Sequence, residues 1–301
     1  MSILINQNTN VVVQGMTGKE GSRAAQSMIE SGIKVSCGVT PGKGGQKVLD
    51  LPIFDSVLEA FEHDGTINTS VLFVPPLMVL DAALEAINGG VKVLVIITEN
   101  VPVPDSAKII EQAKLFNCQV VGPSSVGILN TNLGKLGSIG KPQESKMYSP
   151  GNIGIISKSG GMCAETALVL TQKGLGQSTV VGIGGDVLIG CDFVDILKLF
   201  EQDEETKVVV FFGEIGGNYE QLVAEAVKTK QFTKPLVAFI SGQFAEKIGR
   251  SLALGHAGAI IHKGADTAQS KKKVLKEAGV LIADYHYQIP DLVKIALNQE
   301  K

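Results

Sequence analysis

Val11-Val12-Val13-Gln14-Gly15-Met16-Thr17-Gly18-Lys19-Glu20-Gly21 passes from a β-branched run, through a glycine-rich loop, into the amphipathic stretch Ser22 to Glu30. A short apolar strand, a tight turn and a helix in that order open a βαβ unit. The alternation continues outward. Ile33-Lys34-Val35-Ser36-Cys37, Val71-Leu72-Phe73-Val74 and Val93-Leu94-Val95-Ile96-Ile97 read as strands, with Val120-Val121 closing the series. Leu80 to Ile87 and Ser106 to Leu115 read as the helices between them. The pattern lapses over Leu129 to Ser149, which is rich in Asn, Gly, Lys, Pro and Ser. It resumes with Ile153-Gly154-Ile155-Ile156, Val180-Val181, Val208 to Phe212, Leu236 to Ile240 and Val280-Leu281-Ile282. The sequence therefore predicts an α/β protein of two doubly wound domains, 1–128 and 151–301, joined by a linker over 129–150.

A chain of 301 residues is long enough for two cores. With 44% apolar and 19% charged residues it does not have the composition of a disordered chain. A net charge of −3, from 27 basic and 30 acidic residues, argues against bulk nucleic-acid or anionic-membrane binding. The apolar runs fall short of the roughly 20 residues that span a bilayer. The N-terminus lacks the pattern of a signal peptide. Cys37, Cys118, Cys163 and Cys191 follow neither a CxxC spacing nor a disulfide framework, so reduced thiols in a cytoplasmic protein are expected. No Cys/His/Asp cluster has zinc-site spacing, and no metal site is expected on this chain.

In doubly wound sheets ligands gather beyond the carboxyl ends of the strands, where loops meet helix N-termini. The Gly15 to Gly21 loop fits a phosphate there, because glycines admit a ligand to the backbone and the helix dipole favours an anion. NAD is disfavoured. Its ribose calls for an acidic residue at the end of the second strand, whereas this chain reads Gly38-Val39-Thr40-Pro41-Gly42-Lys43-Gly44-Gly45. Lys43 suits a phosphate, on NADP or on the ADP moiety of coenzyme A, or it is a solvated loop lysine. Ile97-Thr98-Glu99-Asn100 is placed to meet a nucleotide from the other side. In the second half, Ser157-Lys158-Ser159-Gly160-Gly161-Met162 leads from a strand into a helix ending near Thr171. Ser159, Gly160 and Gly161 would offer that helix's unpaired N–H groups to an anion. Further glycine clusters follow at Gly182-Ile183-Gly184-Gly185-Asp186, Gly213-Glu214-Ile215-Gly216-Gly217 and Gly255-His256-Ala257-Gly258-Ala259.

Of the four histidines, His63 lies in a charged stretch, His262 reads as loop and His286, between two tyrosines, as a packed corner. His256 is flanked by small residues, which leaves its imidazole accessible. It is either a structural histidine or a nucleophile toward phosphoryl groups. The second role requires a carboxylate on its other ring nitrogen. Glu214 is the first candidate and Asp186 the second.

Taken in order, the Gly15–Gly21 loop, the Val39–Gly45 loop and the three glycine clusters around Asp186, Glu214 and His256 resemble the α subunit of succinyl-CoA synthetase (succinate–CoA ligase, nucleoside-diphosphate-forming) over essentially the full length. The resemblance implies an N-terminal Rossmann-like CoA-binding domain and a flavodoxin-like ligase domain. Thr17, Gly18, Lys19, Glu20, Lys43, Ile97, Thr98 and Glu99 would then bind coenzyme A. It further implies an acid–thiol ligase that makes succinyl-CoA reversibly, through an acyl phosphate and a phosphorylated His256 served by Glu214. The nucleotide and its Mg would sit on a β subunit with an ATP-grasp domain, in an αβ or (αβ)2 assembly. The absence of a GxxxxGK[ST] loop from this chain agrees. A non-catalytic CoA-binding module would have no need of His256, Glu214 and Asp186 together. An NADP-dependent reductase would leave the second glycine-rich domain unexplained.

Two segments depart from the succinate pattern. Ser159-Gly160-Gly161-Met162-Cys163-Ala164-Glu165 replaces Ser-Gly-Thr-Leu-Thr-Tyr-Glu, so the family tyrosine falls on Ala164. Gly122-Pro123-Ser124-Ser125-Val126-Gly127 replaces Gly-Pro-Asn-Cys-Pro-Gly. Both changes resemble ATP-citrate lyase and citryl-CoA synthetase, which opens citrate or malate as alternatives to succinate.

Overall fold

The computed structural model describes residues 3–140, 146–244, 256–259 and 266–299. Gly255 and His262 lie outside them. The first sheet is built from β1 (Asn10–Gln14), β2 (Lys34–Val39), β3 (Lys47–Val48), β4 (Leu51–Phe54), β5 (Thr69–Leu72), β6 (Val93–Ile96) and β7 (Gln119–Val121). Its order is β3-β4-β2-β1-β5-β6-β7. All pairs are parallel except β3 with β4. Apart from the two-residue β3, the order is 3-2-1-4-5-6, the Rossmann arrangement. Helices α1 (Lys19–Glu30), α2 (Val57–His63), α3 (Val79–Gly89) and α4 (Val103–Phe116) make the crossovers. Their ends are set locally. Ser56 caps α2 by accepting from the Glu59 N–H, and Gly90 and Asn117 close α3 and α4 in left-handed conformations.

The second sheet contains β8 (Gly127–Asn130), β9 (Gly134–Gly137), β10 (Pro150–Ser157), β11 (Gln177–Gly182), β12 (Val208–Gly213), β13 (Leu236–Ile240) and β14 (Leu281–Ala283). The order β14-β13-β12-β10-β11-β8-β9 holds a parallel 5-4-3-1-2 block, the flavodoxin-like arrangement. Helices α5 (Gly160–Thr171), α6 (Phe193–Gln202), α7 (Tyr219–Lys228), α8 (Ala268–Glu277) and α9 (Ile289–Gln299) accompany it. The central strands β1, β11 and β12 are buried at every position, as parallel strands covered on both faces must be. No described helix is long and apolar enough to cross a membrane.

The stretch 129–150, expected as a linker, is structured at its start. Residues 127–137 fold as the β8–β9 hairpin, and β8 pairs antiparallel with β11 at the edge of the second sheet. The hairpin also binds the first domain: the Gly137 N–H donates to Met28 Sδ at 3.4 Å, and the Lys135 N–H donates to Ser31 Oγ at 3.2 Å. One apolar core consequently runs from Val13, Met16 and Met28 through Ile128 and Leu136 to Val181 and Phe200. Gly127 carries the closest contact of the hairpin. At φ +105, a Cβ there would stand 1.8 Å from the Leu136 carbonyl oxygen. Gly127→Ala is therefore expected to destabilise the protein by about 2–4 kcal/mol, read as a lowered Tm in calorimetry. An unchanged Tm would show that the hairpin is not held in this sheet.

Candidate active site

Each sheet has a switch point where successive crossovers diverge, and the candidate residues stand there. In the first sheet the switch lies between β1 and β5. Gly15, at φ +80, brings its backbone so close to the loop after β5 that a Cβ would meet the Phe73 carbonyl oxygen at 2.5 Å. Gly21 is equally confined, 2.3 Å from the Gly15 carbonyl by the same measure. These contacts aim the first turn of α1, Gly18 to Glu20, past the strand ends, with Gly18 as an N-cap lacking a side-chain partner. Thr17 Oγ1 lies 3.2 Å from Thr40 Oγ1, joining the loops after β1 and β2. Thr98 Oγ1 donates to the Val74 carbonyl at 2.7 Å, joining those after β6 and β5. Lys43 is exposed on the turn between Gly42 and Gly45, both at positive φ with open space beside them. Lys19 and Glu20 are exposed as well, Glu20 standing 4.0 Å from Arg23, whereas Ile97 is half-buried and packs on the core.

In the second sheet the switch lies between β10 and β12, and Lys158 and Glu214 follow those two strands. Glu214, 6% exposed, accepts from His256 Nδ1 on Oε2 at 2.7 Å. Its Oε1 meets Lys158 Nζ at 3.5 Å, an ion pair rather than a hydrogen bond. Lys158 is 2% exposed, with its ammonium 5.0 Å from the centre of the Tyr219 ring. Gly185 supplies the floor under the imidazole, where a Cβ would meet the ring at 2.7 Å. The Gly258 N–H closes the loop on the Gly185 carbonyl at 3.1 Å.

Asp186, the second candidate partner of His256, turns elsewhere. It lines a pocket with Asn100 and Val101, beyond β6, whose backbone favours its charged form, so the loop after β11 faces the first domain. Burial raises its pKa, with the Glu99 charge adding to the rise. The Glu99 charge also raises the His256 pKa, as the smallest of its causes. Ser159 is the N-cap of α5 and immediately follows Lys158, which places the Gly160–Gly161 turn beside the same charges. Gly160 is wedged against Val126, and Gly161 faces open space. Among the other histidines, His63 is exposed and His286 Nε2 lies 3.1 Å from Thr166 Oγ1 in a packed corner.

The sequence reading assigned no role to Lys158, Tyr219, Glu220 or Lys271. Glu220 and Lys271 are both fully buried beneath the Glu214 loop and pair with each other. Glu220 Oε1 accepts from the Glu214 N–H at 3.2 Å, and Lys271 Nζ donates to the Glu214 carbonyl at 2.7 Å and to that of Gly216. Burial pulls Lys271 below the usual lysine range.

An ionised carboxylate only accepts, so Nδ1 must carry the proton and the lone pair of the neutral ring lies on Nε2. The Glu214 hydrogen bond raises the His256 pKa from its ordinary 6.5; burial and Lys158 oppose it, and the Glu214 and Glu99 charges add to it. Proton binding to His256 therefore stabilises the fold. That contribution is complete below pH 6.5 and is lost as the pH rises through the elevated value.

Comparison with known proteins agrees with both halves. The CoA binding domain family matches residues 6–100, and the CoA-ligase family matches residues 156–281. A succinate–CoA ligase [ADP-forming] α subunit from Archaeoglobus fulgidus is 44% identical over 97% of this chain and 99% of its own length. A subunit of an ADP-forming sulfoacetate–CoA ligase from an Acholeplasma species is 40% identical over 98% of each chain. Among solved structures, an ATP citrate lyase from Methanosaeta concilii superposes with a TM-score of 0.91 at 25% identity. It covers 99% of this chain, which spans about half (51%) of that longer protein.

Glu214→Gln removes the carboxylate that raises the imidazole pKa and keeps the shape of the side chain. The His256 titration midpoint, followed by NMR, is expected to fall toward or below 6.5. An unchanged midpoint would mean that Glu214 does not control this ring.

Proposed function

The chain belongs to the family of succinate–CoA ligase α subunits, and from that premise we propose that it is the CoA-binding, phosphoryl-carrying subunit of an ADP-forming acid–thiol ligase whose acid is succinate. The observation that carries the reading is the 2.7 Å contact between His256 Nδ1 and buried Glu214. It leaves Nε2 as a nucleophile in a loop lined by glycine. Neutral imidazole takes a phosphoryl group from the nucleotide, and Glu214 stabilises the positive charge that develops on the ring. The phosphoryl group then passes to the carboxylate of the acid, giving an acyl phosphate. The thiol of coenzyme A attacks the acyl carbon, the C–O bond to phosphate breaks, and the thioester forms as phosphate leaves with the thiol proton. Lys158 and the first turn of α5, Ser159 to Gly161, supply positive potential for the transferred group.

Coenzyme A is assigned to the carboxyl ends of β1, β2 and β6, at Thr17, Gly18, Lys19, Glu20, Lys43, Thr98 and Glu99, with Ile97 as packing behind them. The Gly15 and Gly21 contacts support this, because they draw the loop after β1 against the loop after β5 and set the open first turn of α1 at the strand ends. The nucleotide and its Mg belong on a β subunit with an ATP-grasp domain, in an αβ or (αβ)2 assembly. The domains are 1–128 and 151–301, except that the β8–β9 hairpin, which starts at Gly127, joins the second sheet.

The acid is chosen near the start of α5. Ala164 stands where the succinate pattern has tyrosine, and Gly161 has open space beside it, so this end of α5 is less crowded than in the succinate pattern. The 40% identical sulfoacetate–CoA ligase subunit indicates that relatives on this scaffold serve another acid. The assembled enzyme, offered succinate, malate, citrate, itaconate and sulfoacetate with labelled ATP, is expected to turn over succinate. His256→Asn should reduce both label on the chain and turnover by at least about 100-fold. Citrate turnover without succinate turnover would overturn the substrate. Label persisting in His256→Asn would overturn the mechanism.

A further inference from the structure

The loop that carries Glu214 cannot hold its own shape. Gly213, Gly216 and Gly217 surround Glu214 and Ile215, and Gly216 and Gly217 adopt positive φ. Such a segment has wide backbone freedom, yet its carboxylate meets His256 Nδ1 at 2.7 Å. The restraint comes from two fully buried charges. Glu220, from the first turn of α7, accepts the Glu214 N–H; Lys271, from α8, donates to the Glu214 and Gly216 carbonyls and to Glu220 Oε2. Glu214 is thus gripped at both its N–H and its C=O. Gly213 admits the grip, since a Cβ there would stand 2.6 Å from Glu220 Oε1. A buried ion pair is poor value for stability, because desolvating two charges costs about as much as their attraction returns. A backbone clamp uses the pair for its fixed geometry instead.

We propose that Glu220 and Lys271 are positioning residues for the phosphoryl transfer, holding the Glu214 backbone so that its carboxylate stays on His256 Nδ1 and keeps Nε2 aimed at the phosphoryl group. The inference rests on the phosphohistidine reading above. Among the described residues, the groups that bear on the imidazole are Glu214 after β12, Lys158 after β10, Glu99 after β6 and Asp186 after β11. Only Glu214 is held by this pair. Loosening it therefore removes the hydrogen bond that raises the ring pKa and leaves the opposing effect of Lys158 in place.

The test compares Lys271→Met with Lys271→Arg in the full chain assembled with its partner subunit. Two readouts are taken: single-turnover labelling of His256 by labelled ATP across pH, and the pH midpoint of His256 carbethoxylation by diethyl pyrocarbonate, resolved by peptide mass spectrometry. Lys271→Met is expected to slow labelling by about 10- to 100-fold. Both its acid limb and its carbethoxylation midpoint should move to lower pH. CoA affinity should stay within about 2-fold, and Lys271→Arg should recover labelling to within about 3-fold, because its guanidinium restores the donors. Should Lys271→Met fail to fold, Glu220→Gln serves instead. Its amide keeps one acceptor where the carboxylate had two, and the same shifts are expected at a smaller size. Wild-type labelling and an unmoved midpoint in a folded variant would overturn the proposal. If the wild-type chain takes no label, the phosphohistidine reading fails, and the carbethoxylation midpoint alone decides whether the pair positions Glu214.

Discussion

The hydrogen bond from His256 Nδ1 to Glu214 Oε2, at 2.7 Å, is the contact around which this protein is arranged. It chooses the tautomer, raises the ring's basicity and leaves Nε2 outside the contact. Making it requires a carboxylate that is only 6% exposed, and burying that charge is costly unless other charges answer it. Lys158 answers on the side-chain oxygen that His256 leaves, and the Tyr219 ring lies under the ammonium. The three residues come from the ends of β10 and β12 and the start of α7, all at the point where the flavodoxin-like sheet reverses its winding. The fold supplies the place, and a chain of buried charges supplies the aim.

The two domains contribute unequally to that chain of charges but are not independent. Asp186 leaves the imidazole to Glu214 and instead lies against Asn100 and Val101 in the loop after β6 of the first domain. The same loop after β11 contains Gly185, against which the His256 ring packs. A single loop therefore touches the His256 ring on one side and the first domain on the other. The β8–β9 hairpin reinforces the junction, pairing with β11 in one sheet while its backbone contacts Met28 and Ser31 of the other domain.

The strand–loop–helix alternation was legible because parallel strands are apolar on both faces and their loops carry glycine. The pairing of His256 with Glu214 was legible as the first of two candidates, because small neighbours leave the imidazole accessible to a carboxylate from another glycine cluster. Geometry then separated Glu214 from Asp186, which the sequence left as alternatives. The hairpin was hidden. Gly127, Asn130, Gly134 and Gly137 look like turn residues, and the strand that pairs with β8 lies about fifty residues further along the chain. Lys158 and Lys271 were hidden by the ordinary preference of lysine for solvent. Lys271 also opens the run Lys271-Lys272-Lys273, which reads as a solvated face, although its ammonium is the most enclosed of the three. Buried lysines are specified by the partners that close around them, and those partners come from three separate strands and helices.

The central claim is that Glu214 reserves one ring nitrogen for itself and leaves the other for phosphate. The direct measurement is the position of the phosphoryl group on His256, read by 31P NMR of the assembled protein after reaction with ATP. The account predicts a phosphoramidate on Nε2. A phosphoramidate on Nδ1, the atom that the structure gives to Glu214, would contradict it.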